Sequence, residues 1–145
     1  MFKERLTLEN ILIKDCVADW KEAINESVQL LEDSGAVPSD YKEKVIQSIE
    51  ELGPYIFIAP EIAIPHVQYF GKTDVGISLL KVNETVSYDA DHEARLFFAF
   101  SAKDSKSHME LIQELAIFLS DEKNVNAILK LETEHEIYDF IQREG

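Results

Sequence analysis

Residues 94–101 form a nearly continuous apolar run, with Leu96-Phe97-Phe98-Ala99-Phe100 at its centre. Side chains of a strand point alternately to opposite faces, so a strand this apolar cannot have one face in water. It belongs to the middle of a sheet covered on both sides. The remaining pattern supplies the covers. A helix is expected over Asp19–Ser34, where Trp20, Ile24, Val28 and Leu31 recur at helical spacing, Asp19 and Glu22 have the layout of an N-cap, and Gly35 ends the run. A second helix opens at Pro38-Ser39, carries Tyr41, Val45, Ile46, Ile49 and Leu52 on one side, and stops at Gly53-Pro54. Further strands are predicted over Asn10–Ile13, Ile56–Ala59, Ile62–Pro65 and Val75–Val82, with Pro60-Glu61 as a turn. Helices return over Ser107–Leu119, Val125–Leu131 and Glu134–Gln142. The expected fold is a single α/β domain over residues 1–145: a mixed β-sheet flanked by helices on both faces, in three α/β/α layers.

Charge narrows the function classes. Lys plus Arg is 14 against 28 Asp plus Glu, a net charge of −14. Such a surface repels nucleic acid and anionic membranes, and it suits solubility or fast encounter with a basic protein partner. The one cysteine, Cys16, excludes an internal disulfide framework and reads as a small buried filler. The N-terminal segment lacks an apolar signal region, and the longest apolar stretch, Ile56 to Pro65, is too short to span a bilayer. A cytoplasmic location without direct membrane insertion is expected.

Several motifs fail. Gly71-Lys72-Thr73 resembles the end of a phosphate-binding loop, but that loop needs a glycine at position 66, which is His66. Asp89, Asp91, His92 and Glu93 read as a solvated acidic loop rather than a metal site. His135, between Glu134 and Glu136, reads as a surface residue. No cofactor or metal is implied. Two histidines remain. His66 ends an apolar segment beside Pro65, well held and near solvent, where a neutral imidazole can act as a nucleophile near pH 7. Taken alone, such a histidine is more often structural. His108 heads the stripe Leu111, Ile112, Leu115, Ala116 and Leu119, in a first helical turn where Ser107 and Glu110 offer a capping box and free N–H groups offer an anion site. It reads equally as a core-edge histidine bonded to backbone.

The stretch Gly53-Pro54-Tyr55-Ile56-Phe57-Ile58-Ala59-Pro60-Glu61-Ile62-Ala63-Ile64-Pro65-His66 resembles the phosphorylation-site motif of the mannitol/fructose-type enzyme IIA (EIIA) family of the bacterial sugar phosphotransferase system (PTS). The Gly-Pro-Tyr opening and the Ala-Pro turn resemble its ascorbate-type branch. Ser107-His108-Met109-Glu110-Leu111 resembles the family's second-histidine segment, and the order of elements agrees along essentially the whole chain. The resemblance implies a phosphotransferase with a phosphohistidine intermediate. His66 would accept phosphate from HPr and pass it to the cysteine of a cognate enzyme IIB (EIIB), and His108 would stabilise the phosphate. Uptake of an ascorbate-like acid or a polyol is implied. The alternative is a regulatory module of the same fold whose phosphorylation state controls a partner. The chain ends at Gly145 without an appended regulator, which suits a free-standing subunit. Three departures stand out: Glu61 replaces a usual glycine, Val67 replaces a usual small residue, and arginines common before and after the histidine are absent from Ile49-Glu50-Glu51 and Val67-Gln68-Tyr69-Phe70.

Overall fold

The alternation expected of the apolar strand governs the whole architecture. A computed structural model describes residues 2–145. The chain runs α1 (Phe2–Arg5), a 3-10 turn (Leu8–Asn10), β1 (Ile11–Lys14), α2 (Trp20–Asp33), α3 (Tyr41–Leu52), β2 (Phe57–Ala59), β3 (Glu61–Ala63), β4 (Gly76–Asp89), β5 (His92–Ser101), α4 (Ser105–Ser120), α5 (Glu122–Lys130) and α6 (Glu134–Glu144). The five strands form one mixed sheet in the order β1-β4-β5-β3-β2. β5 is central: it pairs antiparallel with β4 and parallel with β3. Its Leu96, Phe98 and Phe100 enter one core with α1, α4, α5 and α6, while Phe97 and Ala99 enter the other with α2 and α3. All five are fully buried. The three-layer expectation therefore holds.

Local chemistry sets the helix limits. The Asp19 carboxylate accepts from the Glu22 N–H at 2.9 Å to cap α2. Gly35, at φ 84, and Gly53, at φ 87, take the left-handed conformation that lets α2 and α3 end. Thr133 and Glu136 exchange capping bonds at the start of α6.

Several expectations are corrected. α4 begins at Ser105, not Ser107; its capping box joins Asp104 to Ser107, whose N–H donates to Asp104 at 2.8 Å. The carboxylate three residues upstream satisfies the orphan N–H that Glu110 had been expected to serve reciprocally. β4 runs on past Val82 to Asp89, because exposed Asn83, Glu84 and Thr85 form a bulge between the Lys81–Leu96 and Val86–Ala94 pairs. Pro60-Glu61 is the turn expected, since Ala59 pairs with Ile62 across it, but Glu61 also opens β3 by pairing with Ala94 of β5. Cys16 is exposed in the loop before α2 rather than buried. Leu52, expected on the packed side of α3, is 73% exposed, and Ala116 is exposed at the position where Phe118 instead enters the core. His135 is exposed and pairs with Asp139 at 3.1 Å, and His92 bonds Asp89 at 2.7 Å beside the β4–β5 turn.

Candidate functional site

β3 and β5 run parallel, so the chain leaving β3 emerges beside the end of β5. Regular pairing stops at Ala63, and two isolated bonds carry the segment onward. The Ile64 N–H donates to the Ile56 carbonyl at 2.8 Å, and the Phe100 N–H donates to the Pro65 carbonyl at 3.1 Å. Buried Pro65 then delivers His66 to the rim of the sheet, half-buried.

The imidazole lies on a shelf. Its ring stacks on Phe100 with centroids 4.6 Å apart and planes inclined at 22°. Tyr55 meets it edge-on at 5.5 Å. His66 Nδ1 lies 2.7 Å from the Ile64 carbonyl oxygen. A carbonyl only accepts, so Nδ1 holds the proton and Nε2 keeps its lone pair. Burial lowers the His66 pKa and the neighbouring His108 lowers it further, against the opposing effect of the Ile64 bond. The ring is thus held as the neutral tautomer a nucleophile requires.

α4, packed on one face of the sheet, brings the second histidine. The His108 ring is 5.6 Å from that of His66 and 5.3 Å from that of Phe100. Phe70 lies against its other side at 6.1 Å. Its pKa is also lowered, by burial. Its backbone N–H donates to the Asp104 carbonyl at 3.1 Å, so the ring, not this N–H, is the group free to serve an anion. A shallow pocket of about 170 Å³ joins His66 and His108 with Ser48, Leu52, Tyr55, Val67 and Gln68. The two histidines, 42 positions apart, therefore share one opening.

Residues 4–144 match the family described as phosphoenolpyruvate-dependent sugar phosphotransferase system, EIIA 2. The chain belongs to this family. This EIIA is 30% identical over 135 residues to the mannitol-specific phosphotransferase enzyme IIA component of Bacillus subtilis (strain 168), covering 91% of this chain and 92% of that protein. It is 29% identical over 128 residues to the ascorbate-specific PTS system EIIA component of Escherichia coli (strain K12), covering 86% and 83%. In fold it matches the mannitol enzyme IIA of Escherichia coli, solved in complex with phosphorylated enzyme IIB, with a TM-score of 0.81 and 23% identity over 95% of this chain and 99% of that one. Among the described residues of this EIIA no helix is long and apolar enough to cross a membrane. The bonds of Tyr41 and Tyr55 to the backbone around His66 were not read from the sequence, where Tyr55 stood only in the Gly-Pro-Tyr opening and Tyr41 only as one member of an apolar helix face.

Proposed function

We propose that this EIIA carries a phosphoryl group on His66 Nε2, accepting it from the phosphohistidine of HPr and delivering it to the cysteine of a cognate EIIB. The observation that supports this reading most is the 2.7 Å bond from Nδ1 to the Ile64 carbonyl, which leaves Nε2 unprotonated at the mouth of the pocket. In the first step the Nε2 lone pair attacks phosphorus as the bond to the donor imidazole breaks. The Nδ1–H stays bonded to Ile64 and shares the positive charge that develops on the ring. In the second step a thiolate attacks phosphorus, the Nε2–P bond breaks, and its electrons return to the imidazole. The charge on phosphorus changes little, so catalysis consists of positioning and electrostatic stabilisation. His108 supplies an N–H to a phosphoryl oxygen. The transfer takes place in the cytoplasm, in service of uptake of a polyol or an ascorbate-like acid, with residues 1–145 acting as one unit. The names of the mannitol- and ascorbate-specific relatives support that substrate class.

The test is incubation with phosphoenolpyruvate, enzyme I and HPr. One acid-labile, base-stable phosphate should appear per chain and be absent in a folded His66→Ala variant. Label persisting in that variant would overturn the assignment.

A further inference from the structure

The peptide unit between His66 and Val67 lies past the end of the β3 ladder, with no strand partner for its C=O or its N–H. Both are nevertheless bonded, each by a tyrosine hydroxyl. The Tyr55 hydroxyl donates to the His66 carbonyl. The Val67 N–H donates to the Tyr41 hydroxyl oxygen at 3.2 Å. The Tyr41 hydroxyl in turn donates to the Phe100 carbonyl at 2.8 Å, with the Val67 carbonyl 3.1 Å away as a second acceptor. Tyr41 opens α3 and Tyr55 follows its end, so one helical arm holds the peptide plane by its two opposite edges. Phe100 closes the arrangement: its carbonyl anchors Tyr41 while its ring supports the His66 imidazole.

The geometry points to Tyr41 and Tyr55 as paired positioning residues that fix the His66–Val67 peptide and so aim His66 Nε2. The inference rests on His66 being the phosphate carrier. Without the hydroxyls, this peptide is free to turn about the bonds flanking it. The imidazole then loses its fixed relation to the Ile64 carbonyl, and with it the commitment of the proton to Nδ1. Phosphoryl transfer is sensitive to this, because an ångström of misplacement at a reacting centre costs about a hundredfold. Tyr41 is fully buried and Tyr55 partly so, and burial raises the pKa of both, so both hydroxyls remain protonated at neutral pH.

Tyr41→Phe, Tyr55→Phe and the double variant test this. Each single change should slow single-turnover transfer from phosphorylated HPr about three- to tenfold, the effect of one neutral hydrogen bond, with the half-saturating HPr concentration unchanged. The double variant should be little slower than the worse single one, because either loss frees the same peptide. In the unphosphorylated protein, imidazole nitrogen resonances should move from the Nδ1–H tautomer towards a mixture. That readout does not depend on His66 accepting phosphate, so failure of the carrier assignment and failure of this inference are distinguishable. Ile49→Ala, which weakens the same helix without touching either hydroxyl, should transfer at the wild-type rate per folded molecule. Wild-type rates and tautomer in both single variants, independent effects in the double variant, or equal slowing by Ile49→Ala would each overturn the inference. If Tyr41→Phe fails to fold, Tyr55→Phe and its imidazole spectrum decide the matter alone.

Discussion

Glu61 is the one non-glycine residue with positive φ, 72°, among the described residues, and substitution there should reverse the usual ranking of alanine and glycine. The strain has a visible cause. Ala59 pairs with Ile62 across the β2–β3 hairpin, so Pro60 and Glu61 are its two loop residues, and Glu61 takes the left-handed backbone that so tight a turn demands. Arg95 Nη1 lies 3.8 Å from Glu61 Oε2, both side chains being partly exposed. Glu61→Ala keeps the strain and loses the pair, a loss of about 0.2–1 kcal/mol. Glu61→Gly also loses the pair, but it relieves about 1–2 kcal/mol of left-handed strain against about 0.5–1 kcal/mol for the greater freedom of unfolded glycine. Glycine should therefore exceed alanine by about 0.75 kcal/mol and come close to wild type. In a domain of this size that is a difference of about 2–3 °C in Tm. Thermal unfolding of the two variants side by side measures it. An alanine variant melting with or above the glycine variant would show that no left-handed strain is stored at position 61.

His108→Ala should slow transfer about ten- to a hundredfold, the effect of one hydrogen bond to a charged group, and His108→Gln should recover part of the rate; both are read in single-turnover assays with HPr and EIIB. Because burial lowers the His66 pKa, the unfolded chain binds more protons below about pH 6.5. Stability should thus be full above that pH and fall as pH drops towards the folded-state pKa, more steeply in wild type than in His66→Ala, as followed by urea unfolding from about pH 8 to 5. Gly76→Ala places a Cβ 2.6 Å from that of Ala36 and 3.3 Å from Leu31 Cδ2 and Ser101 Oγ, so it should destabilise by about 1–3 kcal/mol, seen as a lower urea midpoint with unchanged slope.

What the sequence made legible was whatever depends on neighbours in the chain. The unbroken run through Phe97 and Phe98 announced a doubly covered strand, and Pro65-His66 marked a rim position. The start of α4 was misread: the sequence reading places the capping box at Ser107 and Glu110, but Asp104 with Ser107 has the same spacing, and the structure uses that pair. The second half of β4 was hidden because its bulge is built from polar Asn83, Glu84 and Thr85, which interrupt the apolar pattern. The Tyr41 bonds were beyond local reading altogether. They span 26 residues to Val67 and 59 to Phe100, and a phenol on an apolar helix face looks like core until its hydroxyl finds a partner. The glycine missing at Glu61 registered as a departure from a family pattern; the left-handed backbone that explains it did not.

The sheet separates two hydrophobic cores, and His66 stands where the partition ends. Its tyrosine supports come from the α2–α3 side, whereas His108 comes from the opposite side on α4. On the proposed reading, the acceptor ring and the group that steadies its phosphate are therefore held by different layers. Loosening of the C-terminal helices should cost the His108 contribution, about ten- to a hundredfold in rate, while the tyrosine supports of His66 stay in place.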